Sequence, residues 1–295
     1  MRSSSATSGG RPVSSLAHAG YDESVAAARA KIRRRRELVL VLRVLVAVVL
    51  LGSWEILSRT KVIDPFFFGR PSEIGQKIWT WQTKGTPDGP LWDSVWVTVE
   101  EALIGFGMGV GAGVICGLAL GRVRLLAEVL GPYIKAANSI PRVVLGSIFI
   151  IWLGLGLPSK VALAFVLVFF VVFFNAFQGV REVNEDVIAN ARILGANRRR
   201  ITTQVVLPSA LTWIIASLHT SFGFALVGAV VGEFIGSIHG LGHLIASAQG
   251  TFDTNGVFAA MFILAVVALG AEFLITQLEN RLITWRPSRR DEVSL

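Results

Sequence analysis

Long apolar runs, separated by short charged segments, dominate the pattern of hydrophobic and polar positions along this chain. Most runs approach 20 residues, the length that an α-helix needs to cross a lipid bilayer. Helices are expected because lipid offers no water to free backbone groups. The pattern predicts an all-α polytopic membrane protein with six spans, at residues 38–57, 95–120, 140–157, 161–177, 211–235 and 257–278.

Composition and charge placement support this prediction and orient it. Only 16% of the 295 residues are charged, against about 25% in soluble domains. Of the 28 basic residues, 21 fall on one side of the predicted spans, six on the other, and Arg43 lies within the first span. Basic loops stay in the cytoplasm, so we predict that both termini are cytoplasmic. The net charge of +8 is then explained by basic residues at the inner membrane surface, and it does not indicate binding of nucleic acid. This assignment places Arg142 in a cytoplasmic loop and Lys160 in an external one.

The domain organisation follows from the same spans. Residues 1–37 are predicted to be a disordered, basic cytoplasmic tail, residues 38–285 the six-span domain, and residues 286–295 a cytoplasmic C-terminal tail. The basic-then-apolar start resembles a secretion signal, but no small-residue cleavage site follows it, so we interpret it as a retained helix. In the external segment 59–93, tryptophans favour a short interfacial helix near residues 72–80.

Two patterns within the spans concern helix packing. Five glycines recur at every fourth position of the second span and therefore share one helix face, which suits close packing in lipid: Gly105, Gly109, Gly113, Gly117 and Gly121. Pro141, preceded by Asn138 and Ser139, predicts either a broken helix or an ordinary helix start. Broken helices often line transport pathways.

Ionisable residues at membrane depth are expensive and usually face a cavity or a bundle interior. Glu233 near the outer end of the fifth span either faces a pathway or is hydrated or fixes a neighbouring helix. His219 either lines the pathway or is satisfied within the bundle. The candidate pathway residues are Glu233, His219, Asn138, Ser139 and Pro141. His239 and His243 form either a metal pair or an ordinary loop-end pair, and we predict no metal site.

The segment 183–208 between the fourth and fifth spans carries the most informative pattern. It predicts an amphipathic helix, a tight turn at Gly195 and a basic helix ending at Pro208. The acids Glu185 and Asp186 lie near the start of the first helix, where the helix dipole favours negative charge.

This segment resembles the coupling loop of ABC importer permeases, whose motif is Glu-Ala-Ala, three residues, Gly, nine residues, then Ile-x-Leu-Pro. Gly195, Leu207 and Pro208 match, and Val205 replaces the Ile. The Glu-Ala-Ala positions read Ala-Asn-Ala at 189–191, so the acid is missing, and Glu185 and Asp186 lie one turn earlier. The stretches 151–156, 240–242 and 278–285 are similar to the nitrate, sulfonate and taurine branch. The resemblance covers residues 94–285.

The resemblance implies a type I ABC importer permease of the bacterial inner membrane that works by alternating access. Its partners would be two ATPase subunits, an external solute-binding protein, a second copy in a homodimer, and membrane lipid. The cargo would be a sulfonate-, nitrate- or taurine-like anion or another small organic molecule. The implied docking residues are Glu185, Asp186, Ala189, Ala191, Arg192, Gly195, Ala196, Leu207 and Pro208.

Other function classes fit the sequence less well. The chain lacks a Gly-x-x-x-x-Gly-Lys-[Ser/Thr] phosphate loop, so we expect no enzyme activity and no cofactor here, with ATP and Mg held by the partner. An ion-coupled secondary transporter or channel, the main alternative, predicts acids deep in several spans and internal repeats. A membrane enzyme predicts clustered catalytic ligands, and an exporter subunit predicts a fused ATPase or longer cytoplasmic helices.

Overall fold

The computed structural model describes residues 13–282, with the backbone alone at 13–30, 185, 198 and 278–282. Within that range the chain is helical apart from turns and one isolated bridge between Thr86 and Gly89. The all-α prediction is therefore confirmed. The chain divides into two compact units, Met1–Pro65 and Phe66–Leu295.

The first unit contains one long helix, α1, at Val13–Arg59. Its apolar part, Lys31–Arg59, is long enough to span a membrane. The helix begins well before the predicted span at 38 and includes residues 13–37 of the predicted basic tail, and the predicted domain bounds stay a prediction. Alanine, arginine and lysine are good helix formers, and they fill residues 26–31. Residues 1–12, and the predicted C-terminal tail at 286–295, lie outside the described residues.

The second unit contains the remaining helices of the described chain. In order they are α2 (Pro65–Phe68, which starts at the unit boundary), α3 (Pro71–Lys84), α4 (Leu91–Arg122), α5 (Arg124–Asn138), α6 (Arg142–Leu153), α7 (Leu157–Arg181), α8 (Glu185–Ile193), α9 (Arg198–Ile201), a π-helical segment (Thr202–Val206), α10 (Leu207–Ile235), α11 (Leu241–Gly250) and α12 (Thr254–Leu282).

Five stretches of the described chain are helical, long and apolar enough to span a membrane, and a bent pair makes a sixth. Four of the five belong to the second unit: Leu91–Arg122, Leu157–Arg181, Arg199–Ile235 and Thr254–Gln277. The bent pair, α5 and α6, replaces the predicted span at 140–157 with two helices at 88° to each other. Proline lacks an N–H and disfavours a helical residue before it, so the break at Pro141 confirms the broken-helix alternative.

The predicted glycine face of α4 packs against α7. A Cβ placed on Gly109 would lie 2.7 Å from the Val168 Cβ, and one on Gly117 would lie 2.7 Å from the Ala176 Cβ. Gly105, Gly113 and Gly121 meet Ala164, Val172 and Val180 in the same way. Residue numbers rise together along both helices, so α4 and α7 run parallel. The ends that carry Arg122 and Arg181 are called the basic end below, and the other is the opposite end.

Substitution of Gly109 by alanine is expected to destabilise the bundle, because the new methyl group would overlap Val168. Overpacking of this kind costs about 1–3 kcal/mol. Gly111→Ala is the matched control, since nothing lies within 4 Å of a Cβ at that position. Thermal unfolding of the two variants in detergent measures the difference. Equal melting temperatures would contradict the packing described here.

The third layer of the core is α10, which runs antiparallel to α7. Gly228 of α10 approaches Ala164 of α7, and Gly179 of α7 approaches Ala210 of α10, so that these two contacts lie near opposite ends of the α7–α10 interface. Between them Val168, Ala225 and Ala229 are fully buried. Small residues again allow the close helix approach that packing in lipid requires. The α4–α7–α10 layer therefore positions the charged groups described next.

A short helix, α3, covers the region in which the sequence predicts an interfacial helix. Trp81 of α3 is buried, whereas Trp79 is 69% exposed. Asn255 at the start of α12 donates a hydrogen bond to Glu73 (2.8 Å). Lys77 forms an ion pair with Asp253 (2.6 Å). These contacts attach α3 to α12 and leave one tryptophan exposed, as expected of a helix at a membrane surface.

Candidate functional site

The segment 183–208 projects from the basic end as a helix, a glycine turn and a second helix. Asn184 caps α8 by accepting a hydrogen bond from the Asp186 N–H (2.8 Å). Asn197 caps α9 by accepting one from the Arg200 N–H (2.9 Å). Asparagine is among the preferred N-cap residues, so local sequence sets where both helices begin. This arrangement matches the shape expected from the sequence.

Gly195 makes the turn between these two helices with φ of +81°. Its N–H donates to the Arg192 carbonyl and the Ala196 N–H donates to the Ala191 carbonyl, each at 2.9 Å. Paired bonds of this kind close the end of a helix, and the left-handed backbone favours glycine there. The turn therefore fixes the angle between α8 and α9.

Apolar side chains of α8 are exposed to an unusual degree. Val187 is 48% exposed, Ile193 82% and Leu194 86%. Val187, Ala191 and Leu194 follow at intervals of four and three residues and so lie on one face. Asp186, Ala189 and Arg192 are exposed as well, and the Glu185 side chain lies outside the described residues.

The end of the segment differs from the prediction. Pro208 does not end the basic helix, because α9 continues through the π-helical segment into α10. Pro208 lies in the first turn of α10. A π turn is a rare departure from α-helical hydrogen bonding, and Pro208, which has no N–H to donate, follows it closely. Leu207 and Pro208 thus lie in a helical stretch that continues from the segment into a membrane span.

The break between α5 and α6 brings three predicted pathway residues together. Asn138 ends α5, Pro141 precedes α6, and the Ser139 hydroxyl donates to the Lys135 carbonyl (2.9 Å). Asn138 and Arg142 line a cavity of about 470 Å³ against α7 and α10. Ser139 and Pro141 do not line it. Their role in a pathway stays a prediction.

The charge pattern predicts that Arg142 lies in a cytoplasmic loop, and this prediction is wrong. Its guanidinium lies 5.7 Å from the ring centroid of Phe170, near the middle of α7. The 25 residues of α7 make a helix about 37 Å long. The α5–α6 break is therefore recessed alongside the span, and it carries Arg142 inward with it.

Glu233 is fully buried near the opposite end of α10. Thr98 of α4 donates its hydroxyl to Glu233 Oε1 (2.7 Å), and the Gly242 N–H donates to Glu233 Oε2 (2.6 Å). The Leu241 N–H in turn donates to Thr98 Oγ1 (2.9 Å). The carboxylate thus joins α4, α10 and the start of α11, and it does not line the cavity beside Arg142. Its contact with a solute stays a prediction.

Two further ionisable residues, Lys160 and Glu101, surround Glu233, and neither is among the site residues predicted from the sequence. Lys160, assigned to an external loop, is fully buried instead, and its Nζ donates to the carbonyls of Leu155 and Gly156. Glu101 of α4 is almost completely buried, with Oε2 unbonded. Lys160 interacts electrostatically with both acids. The sequence carries one signal for this cluster: Glu101 and Lys160 both lie near the external ends of predicted spans.

The histidines lie at separate positions in the part of the chain that the structure describes. His219 is half-buried midway along α10. His243 lies 3.5 Å from Asp88. The described residues contain no group of three His, Cys, Asp or Glu side chains that could hold a metal ion.

Comparisons with known proteins identify the family. Residues 109–284, more than half of the chain, match the family described as binding-protein-dependent transport system inner membrane component. The chain is 32% identical to the riboflavin transport system permease protein RibX of Chloroflexus aurantiacus, over 81% of this chain and 88% of RibX. It is 30% identical to the putative aliphatic sulfonates transport permease protein SsuC of Bacillus subtilis, over 83% and 87%.

Two other similarities agree with these. The taurine transport system permease protein TauC of Escherichia coli is 29% identical over 80% of this chain and 86% of TauC. The fold is similar to a chain of the MetNI methionine ABC transporter in an inward-facing conformation, with a TM-score of 0.50 and 18% identity over 65% of this chain and 92% of that chain. The multi-pass helical bundle, its projecting segment and these matches agree: the chain belongs to the binding-protein-dependent ABC importer permeases.

Proposed function

We propose that two copies of this permease form the translocation pathway of an importer whose ATP hydrolysis takes place on two separate subunits. The ATPases bind the segment 183–208 at the basic end, and their motion switches the pathway between outward- and inward-facing states. The observation that carries this proposal is the exposure of the apolar side chains Ile193 and Leu194 at the end of α8, in a segment that continues through α9 and the π-helical segment into α10.

The exposure of α8 favours a protein partner. Exposed apolar patches on a folded protein mark interaction sites, and Ile193 and Leu194 are each more than 80% exposed. Arg192 and Arg199 are exposed beside them, and arginines are common at the rims and centres of interfaces. Because α9, the π-helical segment and α10 form one continuous stretch, a push on α8 would reach a membrane span directly.

The remaining parts of the proposal rest on charge placement and family. Arg122, Arg181 and the segment 183–208 share the basic end, which we place in the cytoplasm of a bacterium with both termini. A solute-binding protein delivers the cargo at the opposite end. The names of the relatives RibX, SsuC and TauC refer to riboflavin, aliphatic sulfonates and taurine. We propose a small solute, preferably a sulfonate-, nitrate- or taurine-like anion.

Replacement of both Ile193 and Leu194 by serine is expected to release the ATPase. Buried apolar anchors each contribute about 1–2 kcal/mol or more to an interface, so the ATPase recovered with the tagged chain should fall about tenfold or more. The measurement is quantitative mass spectrometry of the complex purified from its native cell in mild detergent.

Ile238→Ser is the control, because Ile238 is also exposed (64%) but lies at the opposite end. It should leave ATPase recovery unchanged. If the double variant retains the ATPase in normal amount, α8 is not the docking helix. If the unmodified chain moves solute into vesicles without ATP, an ion-coupled secondary transporter replaces the present proposal.

A further inference from the structure

The cavity beside Arg142 contains a cation without an acidic partner. Arg142 Nη2 donates to the neutral Asn138 side chain, and Arg142 Nε is buried without a hydrogen bond. Among the side chains that the structure describes, no carboxylate forms an ion pair with Arg142. Arginine stays protonated in proteins, so this part of the cavity carries a full positive charge.

The surroundings of this charge are otherwise apolar. Leu163 and Leu167 of α7 and Phe224, Val227 and Val231 of α10 line the cavity. A cation in such surroundings is attracted to an anion far more strongly than at a protein surface. Phe170 contacts only one face of the guanidinium, and a cation–π contact offsets part of the desolvation penalty. Arg142 itself lines the cavity, so its charge acts on a ligand there.

The α6 backbone strengthens the preference for an anion. Pro141 is the N-cap of α6 and supplies no side-chain hydrogen bond to the first turn. The free N–H groups of a helix N-terminus attract negative charge. Arg142 is the first residue of that helix, so its side chain and the helix dipole act on the same volume.

We propose that Arg142 and the start of α6 bind the acidic group of the transported solute, a sulfonate or carboxylate, halfway along its path. This inference rests on the proposed function for its cargo. An anionic lipid headgroup carries similar chemistry and is distinguished below. The cavity volume of about 470 Å³ falls in the range of small-molecule sites, whereas the Glu233 cluster is enclosed by protein.

The test measures the electrostatic preference of the cavity directly. Cys116, the single cysteine, is replaced by alanine, and Val143→Cys introduces a thiol beside Arg142. Val143 lines the cavity and is 61% exposed. The purified transporter, in nanodiscs of phosphatidylcholine, is treated with the anionic reagent 2-sulfonatoethyl methanethiosulfonate or the cationic reagent 2-trimethylammonioethyl methanethiosulfonate, and both labelling rates are measured.

The anionic reagent is expected to react faster than the cationic one. Arg142→Gln should reduce the anion-to-cation rate ratio about tenfold or more, as expected for loss of a nearby unit charge at low effective dielectric. Arg142→Lys should retain the preference. Ethanesulfonate should protect the thiol when Arg142 is present and not in Arg142→Gln.

Arg181→Gln is the matched control, because Arg181 also stacks on a phenylalanine of α7, with 5.3 Å to the Phe177 ring centroid, but lies at the basic end. It should leave the ratio unchanged. Equal rates for the two reagents, no reaction at all, or an unchanged ratio in Arg142→Gln would overturn the proposal. Protection by phosphatidylglycerol in the nanodisc but not by ethanesulfonate would assign the site to lipid and overturn a solute site.

Failure of the Arg142 site and failure of the proposed function give different results. Loss of the anion preference in a transporter that still performs ATP-driven uptake would remove only the Arg142 site. An anion preference in a chain that recovers no ATPase would retain the site and remove the ABC mechanism.

Discussion

Replacing Gly195 with valine is expected to reduce ATP-driven uptake about tenfold while the chain still inserts into the membrane. A side chain forced to the left-handed φ of +81° carries a strain of about 1–2 kcal/mol. The turn would relieve that strain by shifting, which breaks the hydrogen bonds that close the end of α8. Uptake by reconstituted vesicles containing the ATPase and binding protein is the measurement.

Two control variants distinguish an effect of the backbone geometry at this turn from an effect of side-chain size. Gly154 joins α6 to α7 with the same φ of +81° and the same empty space around its Cβ. With a ψ of −177°, a backbone conformation that essentially only glycine adopts, Gly154→Val introduces strain at the opposite end and should leave ATPase binding intact. Gly195→Asn should retain most activity, because asparagine tolerates this conformation. Normal uptake by Gly195→Val would remove the coupling role of the turn.

Glu233→Ala is expected to lower thermal stability more than any other single substitution considered. It leaves Lys160 buried with less negative charge and removes the acceptor for Thr98 and the Gly242 N–H. Breaking a buried, hydrogen-bonded charge arrangement costs about 3–5 kcal/mol. For a chain of this size that corresponds to a melting temperature about 10 °C lower, measurable by fluorescence-detected size exclusion after heating.

Glu101 provides the comparison for this prediction. It lies in the same cluster and shares a hydrogen bond with Glu233, while its Oε2 has no hydrogen bond, so Glu101→Gln keeps a side-chain donor beside Glu233. We expect its stability to stay close to that of the unmodified chain. Glu233→Gln keeps the shape and one oxygen, and should fall between the two. Equal losses in Glu101→Gln and Glu233→Ala would contradict the assigned contacts.

The sequence predicted those features that depend on neighbours along the chain. Apolar run length located the spans, glycine spacing indicated the face of α4 that packs on α7, and Gly195 marked the turn after α8. Helix ends were less accurate, because helices such as Leu91–Arg122 extend beyond the apolar residues that reveal them. The proposed coupling role of 183–208 rests on the family resemblance, since local physics gives the shape of the segment and not its partner.

Features that depend on distant residues were missed. Lys160 looks like a loop residue because it follows the glycine turn at 154–156. Its burial depends on Glu101 and Glu233, which come from two other helices. Arg142 looked cytoplasmic because it lies near other basic residues, yet the recessed α5–α6 break places it beside Phe170. Charge placement along a sequence orients the spans but does not fix the depth of each charge.

The dependence of this permease on a separate ATPase is best tested by purification of the tagged chain from its native cell in mild detergent, with quantitative mass spectrometry of its partners and a transport assay. We predict an ATPase in equal amount to the permease and uptake that requires ATP and a solute-binding protein. A chain that purifies alone and moves solute into vesicles without ATP would contradict the account.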